Sequence, residues 1–408
     1  MYTNVDTLPE ANMEADYFVE VFCKQRNHFG EHICGDVFRS KRIRAEDRII
    51  AVLSDGMGHG VKANILATFT SSFALNFTEE HKDFEKIADI IMNTLPVNAE
   101  NSLSYSTFTI VDIYLKGDVS ILTYDSPEIL IYRKQKQYFP RWTELVMDTE
   151  KNKGKRLKTC TFTPIKGDRI LFCSDGVVQS GLGIMGNNTG WSTEKMNDYT
   201  LKVINGHNSI SASELSSKIV NQAFKNDGYH AKDDISCATI YFRDPRKCIL
   251  CSGPPLNNED DAKYARLLHD FDGKKIVCGG TTADIISREL GIKIENDDTT
   301  GYDEELPPSF KMNTIDIVTE GILTLGKVIR ILKNYHNLNF VMGNGPAEKI
   351  VEYLLQSDAV YFLVGTKINI TNHGPDLEME LEVRRTLIKR LSRLLEDTYL
   401  KDVYIRYI

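Results

Sequence analysis

The chain has no apolar run approaching the roughly 20 residues that a membrane span needs. Its first residues, M-Y-T-N-V-D-T-L-P-E, carry neither the basic nor the apolar segment of a secretory signal. A cytoplasmic location with no membrane contact is the expectation that follows. There is no basic excess either: Lys plus Arg number 49 against 57 for Asp plus Glu, a net charge of -8, which argues against nucleic-acid binding as the main business of the chain. Cysteine is sparse, eight in 408 residues, and sits mostly inside apolar runs such as L-F-C-S and I-V-C-G. These read as small buried hydrophobes and not as a disulfide framework. Internal repeats and low-complexity tracts are absent.

What is present is the composition of an ordinary globular protein, too long for one hydrophobic core, so two domains are expected. The charged R-D-P-R at 243–246 marks the boundary, giving domains 1–244 and 247–408. In the first, residues 16–25, 47–54 and 32–38 read as strands, the last with Asp36 at its middle. Helices are expected over 61–76 and 82–95, the second from the apolar spacing of F-E-K-I-A-D-I-I-M-N-T-L. From Tyr105, short β-branched runs separated by K-G-D and D-S-P-E read as an antiparallel meander. The polar stretch 141–158 reads as an exposed loop, and 180–208 as a long irregular excursion. S-A-S-E at 211–214 is a capping box opening a helix, and A-K-D-D-I-S-C-A-T-I-Y-F sets a carboxylate pair before a last strand. The second half alternates strands with helices, the pattern of a mostly parallel sheet covered on both faces. The fold class is therefore α+β, an antiparallel β-rich domain followed by an α/β domain.

The first domain is organised around residues 49–63, I-I-A-V-L-S-D-G-M-G-H-G-V-K-A. Five apolar residues make a buried strand, and three glycines then force a tight turn into a helix. Asp55 is thereby delivered to a sheet end, beside a bare Gly56 carbonyl, an arrangement that suits a hard cation and equally suits an Asp-capped turn. Three further aspartates share the setting: Asp36 in C-G-D-V-F, Asp175 in S-D-G-V and Asp233 in K-D-D-I-S. Four carboxylates in or beside apolar strands would each be costly to bury alone, and shared divalent ions remove that cost. Oxygen ligands without His or Cys partners point to Mn²⁺ or Mg²⁺, not Zn²⁺.

Together with Y-S-T-F-T-I-V-D, K-G-D-V-S-I-L-T-Y-D-S-P and K-G-D-R-I-L-F-C-S-D-G-V, these segments make residues 16–243 resemble the metal-dependent protein phosphatases of type 2C, and most closely their bacterial SpoIIE branch. The resemblance implies two packed antiparallel sheets flanked by helices, with a two-metal site at one end and Mn²⁺ or Mg²⁺ as cofactor. It implies Asp55 as the carboxylate shared by both ions, Asp36 and the Gly56 carbonyl on one, and Asp175 and Asp233 on the other. Asp234 is placed behind them. An activated water would attack phosphorus with no protein nucleophile, and the substrate would be a phosphoserine or phosphothreonine protein of a bacterial regulatory system. Where animal members often carry a His after the Asp-Gly, this chain has Met57, as the SpoIIE branch does. His59 is read as a loop residue packed against the helix start, which leaves water as proton donor. Arg44 and Lys62 are the candidates for holding the substrate phosphate.

No family resemblance emerges for the second half. By the rule that doubly wound sheets bind ligands beyond the carboxyl ends of their strands, its candidate ligand edge carries Thr281 and Thr282 in G-G-T-T, and Glu320. Two readings stand for it: a sensor of a small anionic ligand that biases the phosphatase, and a homodimerisation or scaffold domain. Cys248 and Cys251, three apart on a strand, should face opposite sides and pack. The rival for the whole chain is a catalytically silent partner-binding protein built on the same fold.

Overall fold

The computed structural model describes residues 17–80, 83–94, 106–150, 152–184, 188–298, 300–335, 342–367, 377–399 and 401–408. Chain contacts divide these residues into two compact units, one ending at Asp244 and one running from Pro245 to Ile408.

The N-terminal unit contains strands β1 (Phe18–Arg26), β2 (Asp36–Ile43) and β3 (Arg48–Gly56), then helices α1 (Gly60–Glu80) and α2 (Phe84–Thr94). Strands β4 (Ser106–Tyr114), β5 (Val119–Tyr124), β6 (Leu130–Arg133), β7 (Lys136–Tyr138), β8 (Trp142–Val146), β9 (Arg156–Phe162) and β10 (Arg169–Cys173) follow. The unit closes with α3 (Asp175–Val178), α4 (Thr193–Gly206), α5 (Ala212–Asn226) and β11 (Ile235–Arg243). These make two sheets with strand orders β1-β11-β10-β6-β7 and β2-β3-β4-β5-β9-β8, antiparallel at the pairs described.

The period of two along a strand explains the layering. In β3, Ile49, Ala51 and Leu53 join a core with Val111, Ile121, Ile170 and Ile240 from both sheets. The intervening Ile50 and Val52 join Ala74, Ile87 and Ile91 of α1 and α2. Both faces of β3 are thus covered, which is why its sequence is a continuous apolar run and not an alternating one. On the other outer face, Leu171 and Cys173 pack with Met196, Leu215 and Ile219 of α4 and α5. Arg48, fully buried, ties α1 to the sheet: its guanidinium donates to both carboxylate oxygens of Asp112 at 2.7 and 2.8 Å, and to the Glu79 carbonyl.

Several sequence expectations are corrected. Asp36 opens β2 instead of lying mid-strand; β2 runs on through R-S-K-R because it is a sheet edge, where one side faces solvent and polar residues are tolerated. The expected meander is broken after β5, since β6 crosses to the opposite sheet. Residues 141–158 are not a loop: β8 and the start of β9 pair there, with Leu157 buried while Arg156 and Lys158 point to solvent. Within 180–208 lies α4, which buries Met196, Thr200 and Ile204. The capping box at Ser211 and Glu214 is present as read. The expected ends of the second helix, at Lys82 and Leu95, lie outside the described residues.

The C-terminal unit begins with β12 (Lys247–Ser252), α6 (Asp261–His269), β13 (Lys274–Cys278) and α7 (Gly280–Leu290). Strands β14 (Ile294–Asn296), β15 (Phe310–Met312) and β16 (Ile315–Thr319) come next, followed by α8 (Ile322–Asn334), α9 (Pro346–Gln356), β17 (Ala359–Val364), α10 (Leu377–Asp397) and β18 (Asp402–Tyr407). The sheet order is β14-β15-β16-β13-β12-β17-β18, parallel except where β15 pairs with β14 and β16. Cys248 packs on the side of Leu325 and Ile350, and Cys251 on the side of Tyr264 and Ile286, opposite faces as expected. All eight cysteines are free thiols.

Candidate metal centre

Four strand ends converge at one end of the sandwich. Asp36, first residue of β2, lies opposite Asp55, near the end of β3. Antiparallel pairing of Cys173 with Cys237 sets the end of β10 against the start of β11, so that Asp175, just past β10, meets Asp233 and Asp234, just before β11. The two sheets bring the pairs together. Asp55 shares a hydrogen bond with Asp175 and feels the charge of Asp36 and Asp233, while Asp36 feels Asp234 and Asp233.

Local packing holds this arrangement. A Cβ on Gly56 would lie 2.1 Å from the Ala63 carbonyl oxygen, and one on Gly176 would lie 2.2 Å from that of Asp234. Neither position tolerates a side chain, so the glycine after each aspartate is set by close backbone approach. Ser106 donates to the Asp55 carbonyl at 2.8 Å, and Gln179 donates to Asp175 Oδ2 at 2.9 Å.

The electrostatics are those of crowded, dry carboxylates. Burial, then Asp36 and Asp175, push the Asp55 carboxyl up to about 10. Burial pushes Asp36 up to about 8 despite hydrogen bonds from Ser236 and Ser174, and burial followed by Asp175 lifts Asp233 to about 6. Among the largest influences on these three, the one that comes from a basic side chain and opposes the rise is that of His28 on Asp233. Asp36 Oδ2 and Asp234 Oδ2 are buried without a hydrogen-bond partner. An all-oxygen set with raised carboxyls and orphaned oxygens fits hard divalent cations, which would supply the missing positive charge.

The structure thus gathers Asp36, Asp55, Gly56, Asp175 and Asp233 at one place, with Asp234 behind them, its Oδ1 accepting the His28 N–H at 3.0 Å. Sequence reasoning missed Ser174, Ser236 and His28. The two serines adjoin the S-D-G and D-D-I-S motifs, which was signal enough; His28 carried none. Arg44 is not at the site: it follows β2 at the opposite end of the β2–β3 hairpin, eight residues from Asp36 and so roughly 26 Å away at a strand's rise. Lys62 lies in the first turn of α1, exposed. In the C-terminal unit, Thr281, Thr282 and Glu320 do lie near the carboxyl ends of β13 and β16. Thr282, however, is buried, its hydroxyl accepting the Gly253 N–H at 2.9 Å, while Thr281 and Glu320 are exposed.

Residues 45–243 match the family model described as Stage II sporulation protein E (SpoIIE), and no family model matches the C-terminal unit. A search of curated proteins found no match. Among solved structures, the phosphatase domain of SpoIIE from Bacillus subtilis is similar at 16% identity over 56% of this chain and 94% of that one, with a TM-score of 0.43. RsbX in complex with magnesium is similar at 19% over 56% and 96%, TM-score 0.40. The catalytic domain of the serine/threonine phosphatase PstP with two manganese ions is similar at 14% over 56% and 100%, TM-score 0.37. Over residues 45–243, just under half of the chain, the sequence matches the SpoIIE family model, and the solved structures its N-terminal unit is similar to include type 2C phosphatase domains.

Proposed function

We propose that the protein hydrolyses phosphoserine or phosphothreonine on a regulatory phosphoprotein at a two-ion manganese or magnesium centre. The carrying observation is the convergence of five carboxylates with two orphaned buried oxygens, and with no Lys or Arg among the largest influences on Asp36, Asp55 and Asp233. Asp55 would be shared by both ions, Asp36 and the Gly56 carbonyl would hold one, and Asp175 and Asp233 the other. When bound, the ions would supply an acidified water and neutralise the phosphoryl oxygens.

The chain's own residues position and polarise. Ser174 and Ser236 orient the Asp36 carboxylate, and Gln179 orients Asp175. Asp234 is anchored by the His28 N–H and supports the site from behind. No Ser, Thr or Cys nucleophile is required. Met57, exposed, carries no proton to give, so the leaving alkoxide takes its proton from solvent. Residues 1–244 act as the catalytic domain, and 247–408 as the domain through which a small anionic ligand or a second copy of the chain would bias it.

The test is phosphate release from a phosphoserine peptide. Turnover with Mn²⁺, none with EDTA, and loss by at least about a hundredfold in folded Asp55→Asn and Asp175→Asn support the reading. Absence of Mn²⁺-dependent release on any phosphopeptide or phosphoprotein contradicts it and favours the silent binding module.

A further inference from the structure

Beside the aspartate centre, and sharing no side chain with it, lies a second cluster of metal-ligating groups. His28 and Glu31 stand in the loop after β1, in the spacing H-F-G-E, and His59 stands in the glycine-rich turn before α1. One ligand atom from each lies within 4.8 Å of the others. The imidazoles of His28 and His59 stack face to face, ring centres 4.3 Å apart and planes 9° from parallel. His59 Nδ1 is 2.8 Å from Glu31 Oε1.

An ordinary ion pair between His59 and Glu31 accounts for one of these contacts but not for His28. His28 Nδ1 is buried and has no hydrogen-bond partner, an unmet group in a position where a buried polar atom is normally satisfied. Parallel rings aim their nitrogen lone pairs along parallel planes, so both reach one ion only when the exposed His59 ring turns off the stack, a rotation that its open surroundings allow. With His59 so turned, a single metal ion joins the two imidazoles, gives the buried His28 ring a partner and takes the carboxylate as counter-charge. The backbone also makes room for the carboxylate. Gly60 has φ +70°, and a Cβ there would lie 2.5 Å from Glu31 Oε2. The His59 side chain is 54% exposed, so the open side of the cluster faces water.

We propose that His28, Glu31 and His59 form a binding site for a zinc-type cation, with water at the fourth position. Two imidazoles and one carboxylate with an open position are a borderline ligand set, which takes Zn²⁺, Co²⁺ or Ni²⁺ ahead of Mn²⁺ or Mg²⁺. The two sites therefore sort metals by chemistry: oxygen-only aspartates for hard ions, the imidazole cluster for zinc-type ions. The inference stands whether or not the chain is a phosphatase. Its place matters, because the His28 N–H holds Asp234 and His59 lies in the turn that leaves Asp55, so an ion here stiffens both approaches to the aspartates.

The experiment titrates Co²⁺, and Zn²⁺ in competition, into the full chain carrying Asp55→Asn and Asp175→Asn, which disables the aspartate centre. The readout is the visible absorption of low-coordinate cobalt, which an oxygen-only octahedral site does not give with comparable intensity. We expect an intense band saturating at one equivalent, displaced by Zn²⁺, with affinity falling at least about tenfold on adding His59→Ala or Glu31→Gln. His28→Ala should do the same, and melting curves confirm that each variant is folded. Absence of the band in the double variant, or a band that survives His59→Ala in folded protein, overturns the proposal.

Discussion

The crowded aspartates make a specific claim about the metal-free protein. Asp55, ordinarily near 3.8, is pushed to about 10 in the folded chain. The folded state therefore holds a proton that the unfolded chain has released, so this contribution to stability is full below about 3.8 and is lost as pH rises toward about 10. The slope for one such group is about 1.4 kcal/mol per pH unit, or up to about 6 kcal/mol between its ordinary value and pH 8. Relaxation and water entry at the edge of the sandwich reduce this, and we expect at least about 2 kcal/mol to survive. Replacing the carboxyl with its neutral isostere, Asp55→Asn, removes the penalty. At about 2–4 °C per kcal/mol for a domain of this size, the metal-free variant should melt roughly 4–8 °C above wild type at pH 8 and close to it at pH 4. Mn²⁺ should then raise the wild-type Tm much more than that of the variant. The assay is thermal unfolding of EDTA-treated protein across this pH range, with and without Mn²⁺. A metal-free wild type whose Tm is level from pH 4 to 8, or a variant no more stable than wild type at pH 8, refutes the reasoning.

Other perturbations follow from the packing. Gly56→Ala and Gly176→Ala each force a Cβ onto a backbone carbonyl at 2.1 and 2.2 Å, and should lower stability by about 2 kcal/mol or more and displace the adjacent aspartate, read by denaturant melts and Mn²⁺ titration. Arg48→Met takes the guanidinium away from the buried Asp112 carboxylate and should cost about 3–5 kcal/mol, whereas Arg48→Met with Asp112→Leu should recover much of it; a double-mutant cycle in urea measures this. Ser211→Ala removes one half of the capping box of α5 and should cost about 1 kcal/mol by the same measurement, with Mn²⁺ affinity unchanged.

What could be read in advance was what periodicity and turn chemistry encode locally. Ile49 to Leu53, buried on both faces, is unmistakable as a strand, and Ser211 with Glu214 is a self-contained helix start. The hairpin of β8 and β9 escaped notice because its outward residues, Glu144, Arg156 and Lys158, dominate the composition while single residues such as Leu157 carry the burial. Helix α4 escaped for the same reason, holding on by Met196, Thr200 and Ile204 in an otherwise polar segment. For the site, each aspartate could be placed at a strand end from its flanking residues, so their shared environment was legible. The groups that aim them were not: Ser236 reaches Asp36, and the His28 N–H reaches Asp234, across long sequence separations that only the strand pairing closes. Arg44 misled because a hairpin sends a residue near in sequence to the far end of the sheet.

The central claim, that the aspartates form a two-ion centre, is tested most directly by electron paramagnetic resonance of the Mn²⁺-loaded protein alongside a metal count. The account predicts two Mn²⁺ per chain with an exchange-coupled spectrum in wild type, reduced to a single uncoupled ion or none in folded Asp55→Asn. A wild type that binds one isolated Mn²⁺, or a coupled pair that persists in Asp55→Asn, contradicts it.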